Sequence, residues 1–373
     1  MAVMLAAGSA RAQWEILPSG STADLRGIDA VGNGVAWASG TEGTVLRTTD
    51  DGKSWQRCAM PPGAEGLDFR GVQAVDDTTA IIMSSGKGSL SRLYKTEDGC
   101  QTWTLVFTNS DPPGFWDAAA WDTKGDNNNI YILGDPVHGF FRLISHIGQE
   151  GEFSTKLPED DTSLMKGKQI SSALGESAFA ASNSLFLLNS RDGSIAFITG
   201  GSRSEFIQYV PHITGRGGMY SDWYRAPLPF GHGSSSGAFS VAACPWRIGP
   251  DQRPHQPIVI VGGDYLRPNV ATATAAISDD LGLHFQLSET PPNGYRSAVA
   301  CDAATKTWIT VGPNGTDVST DDGRNWRALR PDPALHEAAD ADRHWNALSL
   351  PFVVGPHGRI GKLRAGALRV PVR

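Results

Sequence analysis

Three arginines recur in one local setting. Leu25-Arg26-Gly27, Phe69-Arg70-Gly71 and Tyr295-Arg296-Ser297 each place a guanidinium after a large apolar residue and before an alternating apolar run. Two tryptophans take the same place in Phe115-Trp116-Asp117 and His344-Trp345-Asn346. A guanidinium offers a planar fork of donors suited to carboxylates and phosphates. Arg26, Arg70, Trp116, Asp117, Arg296 and Trp345 therefore form a candidate partner-binding set. A second set, Asp117, Asp135, Asp264 and Tyr265, has the carboxyl and phenol groups that acid–base or nucleophilic chemistry on a glycan requires. The competing structural reading pairs each arginine with a nearby acid such as Asp24, Asp68 or Asp135, in service of the fold alone.

The elements that must position these residues form a repeat. With weaker versions at Ser177 and Gly237 included, the opening positions Arg26, Arg70, Trp116, Ser177, Gly237, Arg296 and Trp345 are separated by 44, 46, 61, 60, 59 and 49 residues. A second motif, S/T-x-D-x-G-x-x-aromatic, fits Thr48 to Trp55 (Asp50, Gly52), Ser278 to Phe285 (Asp280, Gly282) and Ser319 to Trp326 (Asp321, Gly323). Thr96 to Trp103 (Asp98) fits except that Cys100 replaces the glycine. Short Ser, Thr and Asp side chains accept backbone N–H groups and close a turn, Gly supplies positive φ, and the aromatic fills space between units.

Period-2 alternation within units near 50 residues predicts an all-β, seven-bladed β-propeller with four-stranded blades. The last unit offers three strands, and Trp14-Glu15-Ile16-Leu17 reads as an outer strand with nothing before it, so the N-terminus is expected to close the last blade. Inner strands start at one mouth of the channel, which is where the opening residues are expected to meet. The middle of the chain departs from the pattern. Blade three lacks a box near Ile144 to Phe153, blade four carries an insertion from Pro211 to Arg225, and blade five has a Pro-rich loop from Pro245 to Pro257.

Composition narrows the function classes. Glycine (43) and proline (23) make up nearly a fifth of the 373 residues, against ~12% in average usage. The net charge is −7, with no block of about five or six like charges, which argues against nucleic acid or an anionic membrane as the main partner. No apolar run reaches membrane-span length, so no stable membrane insertion is expected. Residues 1–12 end in Ala10-Arg11-Ala12, a small-residue cleavage pattern that predicts a signal-peptide remnant and a periplasmic or secreted protein. Residues 13–373 then form a single, monomeric propeller domain.

Gly233-Ser-Ser-Ser-Gly237 fits G-x-S-x-G, but no helix-period segment follows, so it reads as a loop. No metal-ligand or nucleotide-binding spacing occurs, and no metal or cofactor is expected. Cys58 and Cys100 are the expected disulfide. Cys244 and Cys301, on inner strands of adjacent blades that are taken to diverge, are expected to stay free thiols.

The boxes, the opening motifs, Gly134-Asp135-Pro136-Val137-His138, Gly262-Gly263-Asp264-Tyr265, Gly294-Tyr295-Arg296 and Val354 to Ile360 together resemble the photosystem II stability/assembly factor-like family of BNR, or Asp-box, repeat propellers. The resemblance covers nearly the whole chain. It implies an exported seven-bladed propeller that binds a protein or peptide partner without catalysis through an arginine patch, here Arg26, Arg70 and Arg296. Asp-box repeats also occur in sialidases, which implies the alternative of a glycan-active enzyme or glycan-binding protein. Phe69-Arg70-Gly71-Val72 lacks the proline expected of the sialidase arginine signature, and no Glu occupies an opening position.

Overall fold

The computed structural model describes residues 13–123, 129–146, 170–189, 193–213, 219–248 and 254–368. The signal-like segment 1–12 and most of the stretch replacing the blade-three box lie outside them. The chain is a seven-bladed β-propeller. Inner strands are Leu25–Gly32, Phe69–Ala74, Trp116–Asp122, Phe186–Asn189, Ser236–Ala243, Ala298–Asp302 and Ala347–Ser349. Each leads an antiparallel meander. Four strands are described in every blade except the third, where three are: Trp116–Asp122, Asn129–Val137 and Phe140–His146. Among the described residues no α-helix occurs, and none is long and apolar enough to cross a membrane.

Blade four opens differently from the expected Ser177 strand. Glu176–Ser177 is a two-residue strand paired with Gly200–Gly201, and the regular inner strand begins only at Phe186. The described residues of the insertion in this blade are built into the sheet rather than looped out. Glu205–Ile213 and Met219–Pro227 pair over nine residues. The Pro-rich loop of blade five contains a small hairpin, Arg247–Ile248 with Pro254–His255.

The core is a ring of seams between blades. Trp37 and Val45 of blade one pack with Phe69, Val72, Ile82 and Tyr94 of blade two. Ala36 and Leu46 pack with Phe352 and Ile360 of blade seven on the other side. Blades are thus covered on both faces, which is why Ala80–Ser84 is buried at every position and loses the alternation expected of a half-exposed strand.

The four box turns share one hydrogen-bond pattern. The hydroxyls of Thr48, Thr96, Ser278 and Ser319 accept from the N–H groups of Gly52, Cys100, Gly282 and Gly323 at 3.0, 3.1, 2.9 and 3.0 Å. Each aspartate accepts that hydroxyl and an N–H four residues on, as Asp50 does from Ser54 at 2.9 Å. The hydroxyl of Ser54 leads in holding the Asp50 carboxyl down at about 2, and that of Thr102 does the same for Asp98.

The glycine position faces the preceding blade. A Cβ on Gly52 (φ +84°) would stand 2.7 Å from Phe352 of blade seven, and one on Gly282 (φ +88°) would stand 2.4 Å from Phe206 of blade four. The box aromatics press the same seams: Trp55 meets Phe352 edge-on at 5.7 Å, and Phe285 meets Phe206 at 5.2 Å. Blade two shows what a side chain needs at this position. Cys100, at φ 65°, sends its sulfur across the seam to Cys58 of blade one, with Cα atoms 5.2 Å apart.

The expectation of free thiols at Cys244 and Cys301 is wrong. They form a disulfide with Cα atoms 5.4 Å apart. Blades splay outward from the channel axis, so their inner strands are where neighbours approach most closely, not where they diverge. Val299 N–H reaches Ser240 Oγ at 3.0 Å across the same seam.

Closure is as the repeat count requires. Trp14–Leu17 pairs with Ile360–Leu363, with Trp14 opposite Leu363 and Leu17 opposite Ile360. Trp14 is 1% exposed, lies 6.0 Å from Trp345 and donates its indole N–H to Thr316 Oγ1 at 3.2 Å.

Trp14→Ala should cost about 3–5 kcal/mol, and deleting residues 13–18 should lower the melting temperature of the entire ring rather than fray one blade. Circular dichroism melts read both, and an unchanged transition would refute the closure. Cys58→Ala should lose a cross-link worth about 4 kcal/mol for a loop of this length. Adding Cys100→Gly to it should restore about 1 kcal/mol, because glycine relieves the left-handed backbone. Urea titrations in which the double variant is no more stable than Cys58→Ala would contradict the equivalence of Cys100 with the box glycines.

Candidate functional site

Strands alternate direction within a blade, so the starts of inner strands and the loops between second and third strands emerge on one face. There a cavity of about 640 Å³ opens at the channel mouth. Its polar side comes from blades one to three: Arg26, Arg70, Asp117 and Asp135. Phe179, Phe239, Tyr265 and Tyr295, from blades four to six, form its aromatic side, and Trp345 of blade seven completes the ring. A second cavity of about 650 Å³ lies over the closure seam, between Ile16–Thr22 and the turn at Pro356–Arg359. It contains none of the expected site residues.

Asp68 organises the two arginines. Its carboxylate takes Arg70 Nε at 2.8 Å and Arg26 Nε at 3.3 Å, and Arg70 Nη1 also donates to the Ala180 carbonyl at 3.1 Å. The two side chains remain 28–30% exposed. The structural pairing and the location at the mouth therefore coexist. Asp135 accepts from Ala178 N–H at 3.1 Å, and burial raises its carboxyl to about 6. Asp117 is 2% exposed and is pushed well above the carboxylate range by burial and then by the charge of Asp135, with Arg70 opposing.

Three expected members do not line this cavity. Arg296 is sealed within blade six at 1% exposure, its Nε on Asp317 at 2.8 Å, its Nη1 on the Tyr295 carbonyl at 2.8 Å, and Asn314 beside it. Asp317, on the third strand, draws the guanidinium into the blade, away from the open channel. Trp116 is 1% exposed and stacks on Phe107 at 5.4 Å, filling the seam between blades two and three. Asp264 folds back on its own loop, accepting from Arg267 Nε at 2.7 Å and Leu266 N–H at 3.0 Å, contacts that keep its carboxyl low. Trp345 lines the cavity base and is otherwise buried, under Arg359 at 4.8 Å and with its indole N–H on the Ala341 carbonyl. Of the set proposed for glycan chemistry, Asp117, Asp135 and Tyr265 share the cavity and Asp264 does not.

The aromatic side escaped sequence reasoning. Phe179 and Phe239 stack at 4.2 Å with planes 6° apart, Tyr265 meets both edge-on at 6.4 and 6.1 Å, and Tyr295 meets Phe239 at 4.8 Å. A signal existed. In the two blades whose opening residue is small, Ser177 and Gly237, the second residue onward is phenylalanine. Among the described residues no group of three or more His, Cys, Asp or Glu could hold a metal ion.

Fold and mouth define a seven-bladed propeller whose channel opens between an arginine-and-acid side and an aromatic side. No protein-family model matches the chain, and no curated protein is similar to it in sequence. Solved structures are similar in fold. One, described as YCF48 bound to D1 peptide, has a TM-score of 0.58 at 14% identity, covering 95% of this chain and 98% of that one. Another, YCF48 from Cyanidioschyzon merolae, has a TM-score of 0.55 at 16% identity, covering 95% and 99%. These are propellers over their full length, as the family resemblance drawn from the sequence implies.

The burial of Arg296 sets a prediction. Arg296→Ala should destabilise the protein by about 3–5 kcal/mol by stranding Asp317. Arg26→Ala and Arg70→Ala, at partly exposed pairs, should each cost no more than about 1 kcal/mol. Denaturant titrations giving all three the same small cost would contradict the sealed pair.

Proposed function

We propose that this propeller is a non-catalytic binding protein that holds a protein or peptide partner at its channel mouth. The observation that carries the reading is the mouth cavity, where Arg26 and Arg70 face an aromatic wall built on Phe179 and Phe239. Guanidiniums suit the carboxylates of a partner segment and the rings suit its apolar side chains. Support comes also from the similar propeller YCF48, solved with a D1 peptide. Two disulfides in one ring favour an oxidising compartment, periplasmic or extracellular.

A second reading, a glycan-active enzyme, is favoured by the raised carboxyls of Asp117 and Asp135 beside Tyr265. Against it, Asp117 is nearly sealed and Asp264 is occupied by Arg267. A panel of chromogenic glycosides should give no turnover above blank, and reproducible turnover lost in Asp135→Asn would establish the enzyme instead. For the preferred reading, Arg26→Ala/Arg70→Ala protein should recover its partner from an extract at least about tenfold less well than wild type. Arg296 is left intact, since removing it tests the fold. Equal recovery by both proteins would sink the reading.

A further inference from the structure

Asp117 and Asp135 stand on adjacent strands of blade three, Trp116–Asp122 and Asn129–Val137, and share the mouth with Arg70. The ion pairs of Arg26 and Arg70 go to Asp68, not to these acids. Asp117 Oδ2 is buried with no hydrogen-bond partner among the described residues, whereas Asp135 holds a single backbone donor, Ala178. Two ionised carboxylates in such a place are opposed by burial and by each other. Groups kept at that cost concentrate where charge is used.

Building on the reading of the mouth as a partner site, we propose that Asp135 is a proton-operated gate on it, with Asp117 as its buried companion. An acidic partner segment is held more tightly when Asp135 carries a proton.

The charge count at the cavity is short. Blade one contributes Arg26, blade two Asp68 and Arg70, and blade three Asp117 and Asp135. Blades five and six add the phenols Tyr265 and Tyr295, the latter raised by burial and uncharged. The lining of blade four, 177–181, and Trp345 and Asn346 of blade seven carry no titratable group. Two guanidiniums against Asp68 leave one positive charge. Burial and the charge of Asp135 push Asp117 toward its neutral form, so Asp135, raised to about 6, decides whether that charge survives. Below this pH the mouth is cationic, and above it the charges balance.

The test uses a fluorescent, amidated ten-residue polyglutamate peptide, with anisotropy read from pH 5 to 8 at constant ionic strength. The wild-type Kd should rise about three- to tenfold across that range. Asp135→Asn should keep the low-pH affinity up to pH 8. His344, exposed one residue before Trp345, is present in both proteins and cancels in the comparison. Parallel profiles for wild type and Asp135→Asn, with binding still lost in Arg26→Ala/Arg70→Ala, would overturn the gate and leave the partner site standing. Absence of peptide binding at every pH, or binding indifferent to the arginines, would overturn both.

Melting curves give a readout free of ligand. A carboxyl raised by folding contributes stability that is complete below its unfolded value and lost as pH rises through about 6. Asp135→Asn should therefore melt higher than wild type at pH 8, by a margin that shrinks toward pH 4.5. Identical melting at both would show that Asp135 does not titrate as the gate requires.

Discussion

A single blade cannot bury its own faces; each is covered only by its neighbours, so no blade is stable until the ring closes. Everything in this protein hangs on that constraint. The seam between one blade and the next is the repeated unit of packing, and the box turn is the piece that locks it. A Ser or Thr hydroxyl holds a left-handed turn whose glycine position, four residues on, lies against the preceding blade. Glycine lets that blade approach, as Gly52 does with Phe352, and blade two replaces the close approach with a covalent bond between Cys100 and Cys58.

The mouth inherits its precision from the seams. Arg26 and Arg70 belong to different blades, yet one carboxylate, Asp68, holds both, so the seam between blades one and two sets the spacing of two cationic groups. Across the channel the stacked pair Phe179 and Phe239 spans blades four and five. Polar and aromatic sides are thus fixed relative to each other by the ring rather than by any one loop. Asp117 and Asp135 show the other consequence. The closed ring removes water from the two strands of blade three that carry them, and carboxyls caught there shift toward the neutral form.

Much of the architecture was legible because it repeats. Box residues such as Asp50 and Gly52 recur in register, the opening arginines recur before apolar runs, and the orphan strand at Trp14 matches a missing fourth strand in the last blade. The site was less legible. Arg296 sits in the same motif as Arg26 and Arg70, yet Asp317 on a neighbouring strand of its own blade turns it inward. Trp116 and Trp345 mark blade openings equally well, yet their rings are used in seams. The motif specifies where the backbone is, not which way a long side chain leaves it. The same limit explains Cys244 and Cys301, whose bond depends on the distance between two inner strands.

Sequence by itself determined the number of blades, the order of strands within them and the way the termini interlock, because these follow from periodicity and local turn chemistry acting over a few residues. Only the tertiary structure decided which arginines remain at the opening, which cysteines meet, that an aromatic wall faces the guanidiniums, and that Asp117 and Asp135 share one buried corner. Those outcomes depend on distances between residues of different blades or strands, and the packing of the seams sets those distances.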